Sequence, residues 1–272
     1  MCIRDSNGVG VIWTIDGNGG TPARQSSFNP LHVTSTNNTW GDRRAVSAHF
    51  NGEEAYNYFR ATHNRNSVNA QGGNITSFYN IAEEDGSDMD NAFWNGAHIY
   101  YGNGAQAFTS SLAKSLDVAG HEMSHGVVQT TANLRYQGES GALNESFADV
   151  FAAMIDRDDW QIGEDIVNPQ IFRSGALRDL SDPRNGGNSL NDNGYQPDHY
   201  DIRFTGSQDN GGVHINSGIP NRAFFLFATN SAVGKDRAEQ VFYRALDNYL
   251  VCLLYTSPSP RDATLSRMPS SA

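Results

Sequence analysis

The spacing of apolar residues changes partway along this 272-residue chain. Over residues 7–41, Gly, Asn, Thr and Ser dominate. Apolar residues come there in short β-prone pieces such as Val9-Gly10-Val11-Ile12-Trp13-Thr14, which reads as irregular strands and loops. Residues 45–62 carry a helical rhythm, with Val46, Phe50, Tyr56 and Phe59 as the expected core face. Two β-prone runs follow at 74–79 and 98–101, and Gly102-Asn103-Gly104 turns the chain after the second. Beyond residue 115 the spacing becomes helical. It spans 116–131 and then 141–155, where Leu143, Phe147, Val150, Phe151 and Met154 recur at three and four residues. Ser217 is placed to cap a helix over 219–227, with Pro220 tolerated in its first turn. A last helix over 236–250 repeats Ala238, Val241, Phe242, Ala245, Leu246 and Tyr249 along one face. No internal repeat is evident. The pattern predicts an α+β protein, with a β-rich N-terminal lobe over 7–131 and a helical C-terminal lobe over 132–250.

Both termini break this pattern. Residues 1–6 resemble the translated end of a transposase library adapter, and residues 251–272 resemble the same adapter read outward. Both segments are expected to be adapter-derived and are set aside from fold reasoning. The two cysteines, Cys2 and Cys252, fall in them, so the remainder holds none and a disulfide framework is excluded. The chain's formal charge is -11. The terminal segments hold Arg4, Arg261 and Arg267 against Asp5 and Asp262, so the remainder is one unit more acidic. An acidic chain argues against a nucleic-acid partner. Nothing approaches the roughly eighteen consecutive apolar residues of a membrane span, so no membrane partner is expected.

Candidate chemistry concentrates in His121-Glu122-Met123-Ser124-His125. Two imidazoles four apart on a helix share a face, which places both rings on a single metal ion. Glu122, beside the first ring, points away from that pair and is free to act as general base on a water held by the metal. Catalytic zinc takes three protein ligands and keeps one position open. Glu145 supplies the third: nineteen residues separate it from His125, enough to end one helix and return antiparallel in a second. Asp149, four residues on, lies on the same helical face and is placed to accept a hydrogen bond from a ligand imidazole.

Four blocks then support a resemblance. They are Asn91-Ala92-Phe93-Trp94-Asn95-Gly96, residues 117–125, Tyr136-Gln137-Gly138-Glu139-Ser140-Gly141-Ala142-Leu143-Asn144-Glu145 and residues 209–218. In order and rough spacing they resemble the thermolysin (gluzincin) family of zinc metallopeptidases, from about residue 43 to residue 250. The resemblance implies a two-lobed, thermolysin-like fold with the zinc helix in the cleft. It also implies a monomeric, secreted endopeptidase that acts on protein or peptide substrates.

The resemblance further assigns residues. It places Asp149 on the far nitrogen of His121, makes His214 and Tyr136 donors to the oxyanion, and makes Asp209 the acid that orients His214. Asn91 and Ala92 would pair with a bound peptide and Arg178 would bond its carbonyl. Phe108, Val118, Ile162 and Leu177 would line the neighbouring pocket, so cleavage is expected before Leu, Phe, Ile or Val. Asp117, Asp156, Asp159 and Glu164 resemble the carboxylates of a calcium site. The loop between Asp156 and Asp159 is shorter than is usual in the family, and Asp156 stands where a glutamate is usual, so one calcium ion is expected rather than two.

Two other readings stand beside this one. A zinc aminopeptidase uses a similar His-Glu-x-x-His pattern, but the Gly-x-Met-Glu-Asn motif of that family is missing here. A non-catalytic metal- or peptide-binding fragment would follow if helices that the family carries beyond residue 250 are required. In that case Val241, Phe242, Leu246 and Tyr249 would be left uncovered and the chain poorly stable.

Overall fold

The computed structural model describes residues 2–4, 10–24 and 28–250. The expected adapter segment at 251–272 lies outside the described residues, as do residues 1, 5 and 6 of the N-terminal one. The described residues form β1 (Cys2–Arg4), β2 (Val11–Asp16), β3 (Leu31–His32) and helix α1 (Arg43–His63). They continue with β4 (Ile75–Ile81), β5 (Ala92–Trp94) and β6 (Ile99–Gly102). The strands make one sheet in the order β1-β2-β4-β6-β5, with β3 also on β2. The β2–β4 and β4–β6 pairs are parallel, and α1 makes the first crossover. β5 is an edge strand, turned back antiparallel onto β6 through Asn95, whose Oδ1 accepts the Ala97 and His98 amides at 3.0 and 2.8 Å.

Asp42 caps α1, accepting the Arg44 amide at 2.8 Å. The buried face of α1 differs from the expected one. Val46 and Phe50 are 37% and 56% exposed, Tyr56 is half-buried, and the face is Ala45, Ala48, His49, Gly52, Ala55 and Phe59. Small side chains let the helix lie close on the sheet, whereas a row of large ones would hold it away. Asn51 joins this face and donates to the Ala113 carbonyl at 3.0 Å.

Two histidines on α1 sit in this packing. His49 is fully buried, its Nδ1 paired with Thr14 Oγ1 at 2.9 Å, and His63 stacks on Tyr243 with centroids 4.1 Å apart. Burial lowers both from an ordinary 6.5 to about 4. The unfolded chain therefore takes up protons below about pH 6.5 that the folded chain refuses until about pH 4, so folded stability falls as pH drops through that window. The expected result is a melting temperature that declines from pH 7 to pH 4, with a shallower decline in a His49→Gln, His63→Gln double variant. Scanning calorimetry across that range checks it; parallel pH profiles would refute it.

The helical lobe holds α2 (Leu116–Thr130), α3 (Gly138–Ile155), α4 (Gln208–Asn216), α5 (Gly218–Thr229) and α6 (Lys235–Asn248), with a small antiparallel pair of β7 (Gln161–Ile162) and β8 (Arg178–Asp179). α2 is buried along most of its length between the sheet with α1 on one side and α3 on the other. Gly120 eases its approach to α3: a Cβ there would lie 2.8 Å from Ile155 Cδ1 and 3.4 Å from Ala152 Cα, so the Ile155 side chain would have to shift. A second core joins α3, β7, α5 and α6 through Val150, Met154, Ile162, Leu180, Phe224 and Ala238.

Two helical expectations are corrected. Ser217 makes no side-chain cap: it keeps helical dihedrals between α4 and α5, and its hydroxyl bonds Gln196 and the His214 carbonyl instead. On α6, Leu246 and Ala238 are fully buried and Phe242 packs edge-on to Phe224 at 4.7 Å, so much of its apolar face is covered. Val241 and Tyr249 do stand exposed, at 51% and 67%.

Candidate metal centre and cleft

His121 and His125 lie one turn apart on α2, and their Nε2 atoms face each other at 3.0 Å. Glu145 reaches them from α3, with Oε2 at 3.4 Å from His121 Nε2 and Oε1 at 3.4 Å from His125 Nε2. One donor atom from each of the three lies within 4.8 Å of the others, the one such group among the described residues. The donor set fits a zinc ion in chemistry and in electrostatics. Glu145 Oε2 is a buried carboxylate oxygen without a hydrogen-bond partner, an arrangement that favours a cation. Burial opposes charge on His121, yet the Asp149 and Glu145 carboxylates outweigh it and push the ring up to about 10. Burial likewise opposes charge on Glu145, and the surrounding histidines hold its carboxyl well below the usual range. The acids thus draw positive charge to a point beside two inward-facing nitrogens.

Each of the two candidate imidazoles is held from behind. His121 Nδ1 lies 2.9 Å from Asp149 Oδ1. That buried carboxylate is itself gripped by Arg178, through Nε at 2.9 Å to Oδ2 and Nη2 at 2.7 Å to Oδ1, and by Asn221 Nδ2 at 2.8 Å. His125 Nδ1 meets Asn144 Oδ1 at 2.8 Å, and Asn144 Nδ2 donates to the Leu134 carbonyl at 3.1 Å. Neither asparagine was foreseen. Asn144 adjoins Glu145 and could have been suspected, but Asn221 is 72 residues from Asp149 and carries no local signal.

His214, Tyr136 and Asp209 meet at the cleft wall. Tyr136 OH donates to Glu145 Oε1 and lies 3.0 Å from His214 Nε2. Asp209 accepts from both the His214 ring, at 2.7 Å to Nδ1, and the His214 amide, also at 2.7 Å. Burial alone would lower the His214 pKa, but Asp209 and Glu145 raise it. The imidazole stands on an unusual backbone, since Asp209, Asn210, Gly211 and Gly212 all have positive φ, at 52°, 51°, 86° and 81°. A Cβ at Gly212 would also lie 2.7 Å from the Phe204 ring.

Glu122, nearly buried, borders two adjoining cavities. The larger, about 570 Å³, is open and bounded by Phe93, Trp94, Gln129 and Tyr136 beside the metal-ligand candidates. The second, about 360 Å³, brings together all seven residues expected at a substrate: Asn91, Ala92, Phe108, Val118, Ile162, Leu177 and Arg178. Leu112 and Phe172 complete its apolar wall and were not among the expected residues. Arg178 differs from expectation in that much of its guanidinium is engaged by Asp149.

The acids expected at calcium act on one another's charge. Asp117 is buried and accepts the Val118 amide at 2.6 Å as well as the Gly163 amide and the Ser115 hydroxyl. Burial and the Asp117 charge push Glu164 up to about 8, and burial with neighbouring acids raises Asp156. Among the described residues, however, Asp117, Asp156, Asp159 and Glu164 do not bring three donor atoms within 4.8 Å of one another.

Fold and centre together define the class: a two-lobed protein with one candidate His2Glu metal centre among its described residues, on paired helices in its cleft. Family models match nearly the whole chain, the thermolysin metallopeptidase catalytic domain over residues 2–129 and the thermolysin metallopeptidase alpha-helical domain over 132–254. The chain belongs to the thermolysin metallopeptidase family. It is 44% identical to a bacillolysin of Brevibacillus brevis over 90% of this chain and 46% of the relative. It is 43% identical to the neutral protease NprE of Bacillus pumilus over 84% of this chain and 72% of the relative. Among solved structures it is similar to the precursor of protealysin, a metalloproteinase from Serratia proteamaculans. That match has a TM-score of 0.77 and 30% identity, covering 90% of this chain and 77% of the other. The chain spans less than half the length of the first curated relatives it matches.

Proposed function

We propose that this chain is the catalytic region of a zinc-dependent endopeptidase that cleaves polypeptides on the N-terminal side of bulky hydrophobic residues. The observation that carries this reading is the convergence of His121 Nε2, His125 Nε2 and the Glu145 carboxylate beside Glu122, at the mouth of an apolar pocket. Zinc held by these three residues would supply Lewis acidity to the scissile carbonyl and to the attacking water. Glu122 takes the proton of that water on its carboxylate and returns it to the leaving amine. His214 Nε2, held by Asp209, and Tyr136 OH donate to the developing oxyanion. The β5 edge at Asn91 and Ala92 pairs with the peptide backbone as an added strand, and Arg178 bonds its carbonyl. Phe108, Val118, Ile162 and Leu177 receive the side chain after the cut and select apolar ones.

Asp117, Asp156, Asp159 and Glu164 are proposed to take one structural calcium ion. The support is crowded acidic charge and a buried, unpartnered Glu164 Oε2. The proposal extends to an extracellular monomer organised as lobes over 7–131 and 132–250. No helix of the described residues is long and apolar enough to cross a membrane.

Treatment with a zinc chelator is the test. Casein and peptide cleavage should vanish and return on adding zinc, with new N-termini at Leu, Phe, Ile or Val in the products. Tight zinc binding without any cleavage would instead select the reading as a non-catalytic fragment.

A further inference from the structure

One carboxylate next to the cleft has a task that none of the roles above describes. Asp90 precedes the β5 edge and accepts four consecutive backbone amides from the loop after β6. These are Ala105 and Phe108 on Oδ1 at 2.5 and 3.2 Å, and Gln106 and Ala107 on Oδ2 at 2.6 and 2.8 Å. Burial alone would raise its carboxyl, but the four amides prevail and hold it below the ordinary value. A carboxylate satisfied by converging N–H groups is a strong, oriented anchor.

The anchored loop ends at Phe108, which is buried, packs near Phe172 with centroids 6.2 Å apart and forms a wall of the 360 Å³ apolar pocket. On its far side the loop is tied to the segment after β7. The Asn168 amide donates to the Ala107 carbonyl at 2.8 Å, and the Thr109 amide to the Ile166 carbonyl at 2.8 Å. Asp90 therefore joins two things that a substrate would meet together, the strand edge at Asn91 and Ala92 and the pocket wall at Phe108. Asp90 acts there beside two backbone ties, the Gly104 amide to the Met89 carbonyl at 3.1 Å and the Gly102 amide to the Asn91 carbonyl at 2.9 Å, and is the side chain that reaches residues 105–108.

We propose that Asp90 is a positioning residue that fixes the width of the apolar pocket relative to the substrate-pairing strand, and so sets the preference for large over small side chains after the cut. This rests on the endopeptidase reading above. In Asp90→Asn, the amide NH2 must face N–H donors that now face an oxygen, so two of the four bonds are replaced by repulsion. In Asp90→Glu, charge and both oxygens remain but stand one methylene further out.

The experiment measures kcat/KM on two peptides that differ only in Leu or Ala after the scissile bond, for the parent, Asp90→Asn, Asp90→Glu and a control, Asp85→Asn. Asp85 caps a separate exposed turn through Ser87. An apolar pocket discriminates by roughly 10–200-fold. The Leu-to-Ala ratio should fall about tenfold in Asp90→Asn and by a smaller factor in Asp90→Glu, chiefly through KM, and stay at the parent value in Asp85→Asn. If Asp90→Asn does not fold, the ratio in Asp90→Glu decides. An unchanged ratio, or equal losses on both peptides, overturns the positioning role. A parent that cleaves neither peptide with zinc bound overturns the endopeptidase reading instead, so the two failures are distinguishable.

Discussion

Glu122→Gln should keep zinc and lose most turnover. The amide is isosteric with the carboxylate and lies on the same turn of α2, so His121, His125 and Glu145 stay in place around the metal. What disappears is the group that accepts a proton from the attacking water. General-base catalysis contributes roughly 10²–10⁴-fold, so kcat should fall by about that factor while zinc content, measured by atomic absorption, stays near one per chain. A variant that hydrolyses peptides at close to the parent rate would show that the proton goes elsewhere.

The second large effect is expected at His214. Its Nε2 lies 3.3 Å from Glu145 Oε1 and 3.0 Å from Tyr136 OH, close enough to the metal centre to donate where negative charge develops. Asp209 holds the ring through Nδ1 and so leaves Nε2 facing the cleft. Removing one such donor costs roughly 10²–10³-fold, so His214→Ala should lower kcat/KM by about that much with zinc content unchanged. Asp209→Asn keeps the local shape but weakens the hold on the ring, and a smaller loss in the same parameter is expected. Unaltered peptide kinetics in His214→Ala would remove it from the mechanism.

The parts of this site that were legible in the sequence share a short period. His121, Glu122 and His125 occupy consecutive turns of one helix, and Glu145 with Asp149 repeats the same interval on the next, so local spacing alone orients them. The family resemblance carried His214 and the pocket residues. What stayed hidden depends on contacts between distant segments. Asn221 reaches Asp149 across the α3–α5 packing, and Asp90 shows its role only when the loop at 105–108 folds over it. The same limit explains the misread face of α1. A helical rhythm marks Val46 and Phe50 as apolar, but closeness to the sheet favours Ala45, Ala48 and Ala55, and closeness is a property of the partner. The pair β7–β8, two residues per strand, is too short to have any period at all.

Residues 209–212 bear on how relatives of this protein should be compared. Their backbone runs with left-handed dihedrals over four residues, which Asp, Asn and Gly tolerate and branched side chains do not. Identity at 210–212 among related chains would then report the handedness of the main chain rather than contact with a substrate. A search for specificity would then find little there to engineer. On the proposed endopeptidase reading, variation that retunes what is cut belongs instead at the apolar walls at 108, 112, 162, 172 and 177.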